Sequence, residues 1–198
     1  QDRAVGEGNY DRSERLLQKL LARIPGAKVP RGISTVSGNG PQAAPDFRNL
    51  RSSETYIGYS QASGFASPGG MARNVQQVYR PAARLGLDRW GLAGPWSVGA
   101  EFATLGNAPG RIAFRFHARD LHMVLGPGAD GRPVRFRVRI GGAVPGNDHG
   151  WDVNGDGSGA VQVSRMYQLV RQQGKVADRD FEIEFLDPGV RAYVFTFG

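Results

Sequence analysis

"VRFRVRIGG", residues 134–142, decides the fold. Val134, Phe136, Val138 and Ile140 alternate without a fault with Arg135, Arg137 and Arg139. Side chains two apart on an extended chain share a face. The stretch therefore reads as a strand with one face in a core and one in water. The glycine pair that closes it is a turn signal.

The same alternation spreads in both directions. In "RIAFRFHARDLHMVLGP" (111–127), Ile112, Phe114, Phe116 and Ala118 point one way, and Arg111, Arg115, His117 and Arg119 the other. Further on, Leu121, Met123 and Leu125 oppose His122 and Val124. "WGLAGPWSVGAEFATL" (90–105) sets Trp96, Val98, Ala100 and Phe102 on one face, and "ETYIGY" (54–59) is a short strand. "GAVQVSRMYQLVRQ" (159–172), "FEIEFLD" (181–187) and "VRAYVFTFG" (190–198) complete the set. The 29 glycines and 12 prolines are spread along the chain, as turns between many short strands require. About eight strands, each with one wet face, predict an all-β fold, a jelly-roll-type β-sandwich over 54–198.

Before it, "DRSERLLQKLLARI" (11–24) carries Leu16, Leu17, Leu20, Leu21 and Ile24 on one stripe and reads as a helix. Asp11 with Glu14 is the pattern of a capping box. A helix this short is marginal in water, so its leucine stripe must dock on something, a second copy included. Residues 26–53 have scattered apolar residues and no period, and read as a linker draped over a surface.

The formal charge is +7, and only Lys19, Lys28 and Lys175 of the 25 basic residues are lysine. Arginine suits bidentate contact with carboxylates. The charges do not form one run, so the plainer reading is a solvated sheet face. Glu182 and Glu184 share a face, and beside Arg135, Arg137, Arg139, Arg111 and Arg115 they would pair across strands. There is no cysteine, which excludes disulfides, thiolate metal sites and thiol redox chemistry in this chain. No apolar run approaches the roughly 20 residues of a membrane-spanning helix.

"ETYIGY", "FASPGG", "FRFHARDLHMVLGP", "YQLVRQ" and "FEIEFLDPGVRAYVFTFG", in this order, resemble the C-terminal domain of DipZ-type thiol:disulfide interchange proteins. "GEGNYDRSERLLQKLLA" (6–22) is similar to the last helix of the thioredoxin-like domain that precedes it there. The resemblance implies a carbohydrate-binding-module-like sandwich, a cell-envelope location outside the cytoplasmic membrane, and a parent with a redox-active Cys-X-X-Cys pair that has no counterpart here. It implies three segments: a residual helix (1–25), a linker (26–53) and a sandwich (54–198). It supplies no catalytic set.

Sugar binding needs aromatic rings to cover pyranose faces and planar polar groups to meet hydroxyls. The candidates are Tyr56, Tyr59, Trp90 and Trp151, with Arg115, His117, Arg135 and Arg137. Trp96 is in phase with the core and is excluded. Such rings also simply cover the ends of sandwiches. "DVNGDGSG" (152–159) places Asp152, Asn154, Asp156 and Gly157 as in the start of a calcium loop. The twelfth position is Val163 rather than a bidentate glutamate, so a hairpin turn is preferred over a weak calcium site. His117, His122 and His149 are too separated to argue a metal site, and His117 is expected to pair with a carboxylate. Glu182 and Glu184 sit at the spacing of any strand and do not argue a glycosidase. In "VRFRVRI" the aromatic faces away from the arginines, which excludes nucleic acid.

The expected function is a non-catalytic accessory module that binds cell-wall glycan or an envelope protein, with no cofactor beyond that weak calcium. The alternative is a structural part that positions the thioredoxin-like domain or assembles copies through the N-terminal helix.

Overall fold

Alternation along 134–140 is carried into the structure residue by residue: the apolar set is buried and the three arginines are exposed. The computed structural model describes residues 10–34 and 38–198. Residues 1–9 of the expected helical segment and 35–37 of the expected linker lie outside the described residues. The chain divides into two compact units between residues 37 and 38.

In the first unit, α1 spans Tyr10–Leu21. Asp11 lies within its first turn. Glu14 does not complete a capping box; its carboxylate accepts from the Ser34 backbone N–H and hydroxyl, both at 2.8 Å. Leu17 and Ile24 are each 56% exposed and Leu20 is 49% exposed, so the stripe expected to dock is open.

The second unit is built of β1 (Thr55–Tyr56), β2 (Gln76–Tyr79), β3 (Arg89–Val98), β4 (Ala103–Leu105), β5 (Gly110–Phe116), β6 (Asp120–Gly126), β7 (Val134–Ile140), β8 (Ser158–Val161), β9 (Arg165–Arg171), β10 (Arg179–Phe185) and β11 (Arg191–Phe197). All the ladders are antiparallel. One layer runs β8-β7-β10-β5-β3 and the other β3-β4-β11-β6-β9. β3 serves both: residues 89–93 pair with β5 and 96–98 with β4, while β2 pairs with 94–97. Gly94 makes the bend between them at φ +93°, where a Cβ would lie 2.8 Å from the Pro109 carbonyl oxygen. Successive strands β5, β6 and β7, then β9, β10 and β11, alternate between layers, which is jelly-roll winding. The layers meet ring to ring, Phe114 against Phe195 at 4.9 Å and Trp96 against Phe185 at 5.9 Å. The fold is an all-β sandwich, as expected.

Four local expectations are corrected. The strand expected over 90–105 breaks after Val98, where the Gly99 N–H donates to the Phe102 carbonyl; this tight turn leaves Ala100 exposed and Phe102 half-buried. Residues 159–172 form β8 and β9, which lie in different layers. β2 has no apolar alternation, being mostly exposed, and was not expected. His117 is buried rather than wet, because the chain has left β5 there and is turning into β6.

Between Gly38 and Ser53 the chain belongs to the second unit. It crosses the outer face of β6 and β9: Gly40 carbonyl accepts from Gln168, Ala44 carbonyl accepts from Arg119, and Ser52 hydroxyl accepts from the His117 N–H.

Candidate functional site: a cationic cleft beside β6 and β9

Asp120 opens β6 and is paired in register with Arg171, the last residue of β9. Side chains directly opposite across an antiparallel pair share a face. Asp120 is 2% exposed, and a carboxylate so buried needs compensating charge. It receives two guanidiniums. Arg171 approaches with Nε at 2.9 Å and Nη2 at 3.1 Å, and Arg119 with Nε at 3.0 Å and Nη2 at 2.6 Å. Both arginines are thereby held still, and their Nη1 groups are not used on Asp120.

These arginines line a cleft of about 630 Å³. Lys175 adds a third cation to the lining. Asp46 and Asn49 line it too, joined to each other by a hydrogen bond of 2.7 Å. That bond, helped by the charge of Arg119, holds the Asp46 carboxyl below the ordinary carboxylate range. Gln172 fixes the loop after β9: its Nε2 donates to the Ala118 and Ala177 carbonyls, and its Oε1 accepts from Arg179.

His122 follows on the same outer face and is 7% exposed. Its Nε2 is buried without a partner, and burial pushes its pKa below the usual histidine value, against the opposing pull of Asp120. Gln168 connects this network outward. Its Nε2 donates to the Gly40 carbonyl at 3.2 Å and reaches Asp120 Oδ1 at 3.4 Å, while its Oε1 accepts the Trp151 N–H at 3.0 Å. The Trp151 ring lies over Gly40, where a Cβ would come within 2.8 Å of Cγ, and is 69% exposed.

The residues named from sequence do not form one site, although Arg115 and His117 meet on Asp178. Trp90 is fully buried, with Nε1 donating to the Ser63 carbonyl, so no ring face meets solvent; burial in β3 corrects its candidacy. Tyr59 has Arg73 over its ring at 5.1 Å and accepts from Asn74. Tyr56 donates to Glu54. Arg115 is paired with Asp178 and Asp180, and His117 Nδ1 lies 2.7 Å from Asp178, the carboxylate partner expected of it. Arg135 grips Asp187 with Nε and Nη2 and pulls that carboxyl down to about 2. Arg137 lies opposite Glu184 in register.

The calcium-like loop is satisfied internally. Asp152 binds Arg165 at 2.6 Å, Asn154 Nδ2 donates to Ser158, and Asp156 accepts twice from Ser158. Among the described residues, no group of three or more His, Cys, Asp or Glu is placed to hold a metal.

Arg171 and Lys175 were missed by sequence reading, and Arg119 was seen only as a face residue. The polar run "RQQGK" (171–175) was their signal, but nothing along the chain brings it to Asp120, which lies 51 residues before Arg171.

Residues 52–198 match the family model described as thioredoxin like C-terminal domain. The chain belongs to this family. Among its relatives, Protein DipZ of Mycobacterium bovis and Protein DipZ of Mycobacterium tuberculosis are each 30% identical over 140 residues, 67% of this chain. The chain spans only 19% of the length of these relatives. The resemblance to DipZ-type C-terminal domains is thus borne out. Within the thioredoxin-like C-terminal domain match lie Arg119, Asp120, Arg171 and Lys175, whereas Asp46 and Asn49 precede it. No helix among the described residues is long and apolar enough to cross a membrane.

Proposed function

We propose that this thioredoxin-like C-terminal domain is a non-catalytic accessory module. It binds a cell-wall glycan or an envelope protein on the extracytoplasmic side of the membrane, as part of a longer thiol:disulfide interchange protein. The cleft carries this reading: one buried carboxylate holds Arg119 and Arg171 ready, so binding costs little ordering of long side chains. The chain has no cysteine, and the thiol chemistry belongs to another part of the parent. The test is a photo-crosslinking residue at Gln173 in the cleft, compared with one at Arg137 on the other layer. Adducts with cell-wall fragments or one envelope protein are expected from Gln173 and lost with Lys175→Glu. Equal labelling from both positions, or none, would overturn the reading.

The open stripe of α1 favours a second reading, in which Leu17, Leu20 and Ile24 dock on the thioredoxin-like domain or on a second copy. Light scattering tests the latter: a dimer that dissociates on Leu20→Lys supports it, and a monomer at all concentrations rejects it.

A further inference from the structure

We infer that the Trp151 ring and the Arg119–Arg171 cleft are two subsites of one track for an acidic glycan, a polysaccharide bearing carboxylates. The inference rests on the binding-module reading and names its ligand class. Three observations carry it.

The first is continuity. Gln168, itself buried, links the two subsites from beneath: it accepts the Trp151 backbone N–H and donates toward Asp120, which holds the two arginines. Gly150 and Asp152 N–H groups donate to the Leu169 and Gln168 carbonyls, which pins Trp151 alongside Gln168. Gln168 lies opposite His122 and Arg171 opposite Asp120, a separation of about 7 Å along β6. A ligand touching both ends is longer than one sugar ring.

The second is charge. Arg119, Arg171 and Lys175 outnumber Asp120 and Asp46 by one. A single excess positive charge suits a carboxylate better than a phosphate dianion. The Nη1 groups, not used on Asp120, are charged donors that a carboxylate accepts from readily. Asn49 and Gln173, also in the lining, supply amides that both donate and accept, as sugar hydroxyls demand.

The third concerns the competing ligand. β9 is the last strand of its layer, and a peptide would be expected to add to such an edge. Residues 149–152 already occupy that edge, through the His149–Val170 bridge and the two hydrogen bonds above. What remains open is an exposed indole beside a polar cleft, an apolar platform for a ring face next to donors for its substituents.

The experiment is affinity electrophoresis of the full chain through gels containing polygalacturonate or the same polymer with its carboxyls reduced to alcohols. Trp151→Ala and Lys175→Glu are run alongside, both at exposed side chains, with far-UV circular dichroism confirming the fold. Retardation by polygalacturonate is expected to exceed that by the reduced polymer at least tenfold in affinity, to weaken about tenfold with either variant, and to fall with added salt. Equal retardation by both polymers overturns the inference, as does a Trp151→Ala variant that binds like wild type. If neither polymer retards the chain while Gln173 still crosslinks to an envelope protein, the glycan inference fails and the binding module stands. If neither occurs, both fail.

Discussion

At the scale of single residues, Asp120 is the keystone of the cleft. Two guanidiniums and the Gln168 amide converge on it at 2% exposure. Asp120→Ala would leave Arg119 and Arg171 facing each other without their shared anion. Breaking a buried pair costs about 3–5 kcal/mol, and urea unfolding should show a loss of this size. His122, on the same face, gives the fold a pH dependence. Desolvation and the nearby Arg171 and Arg119 favour its neutral form, Asp120 and the Thr196 backbone its charged form, and the balance is downward. The unfolded chain thus takes up a proton near the ordinary histidine value of 6.5 that the folded chain resists. Stability should be full above that pH and decline as pH falls below it, before the carboxylates titrate. Thermal unfolding between pH 7.5 and 5 measures the decline, and His122→Gln should flatten it.

At the scale of elements, the question is what the outward arginines meet. β10 lies between β5 and β7, with Glu184 in register with Arg111 and Arg137, and Glu182 with Arg139. Arg111 is 3.6 Å from both glutamates. Among the described residues, only Arg111 of the five arginines expected to pair with these glutamates reaches them; Arg115 pairs instead with Asp178 and Asp180, Arg135 with Asp187, and Arg139 donates to the Gly142 carbonyl. Arg111 is about half exposed, so Arg111→Ala should cost less than about 1 kcal/mol. Phe114, on the opposite side of β5, is fully buried against Phe195 and Phe197, and Phe114→Ala should cost about 3–5 kcal/mol. Chemical denaturation of the two variants tests whether burial or the ladder holds this layer. Strands such as β7 and β10 were legible because a period of two survives wherever one face is buried and the other wet. The bend at Gly94 and the break between β8 and β9 were not. Both depend on which layer the next residues join, and no local pattern records that.

At the scale of the molecule, the position of residues 38–49 separates two truncations. Removing residues 1–37 takes away only the first unit. Thermal unfolding of 38–198 should match the sandwich transition of the full chain within a few degrees. Removing residues 1–49 also strips the Gly40 and Ala44 carbonyls from Gln168 and Arg119 and uncovers that face. The midpoint should then fall markedly; an unchanged midpoint would show that this segment is decoration. The amino-acid order by itself determined the all-β class and, for each regular strand, which face is core and which is wet and charged, because each is set by whether neighbouring side chains alternate. The tertiary structure alone decided the cleft. Arg119, Asp120, Gln168, Arg171 and Trp151 come from separate stretches, and only antiparallel pairing of β6 with β9, under a segment that looked like a linker, brings them into hydrogen-bond range. Contacts of that kind depend on register between distant strands, and register is a property of the packed sheet.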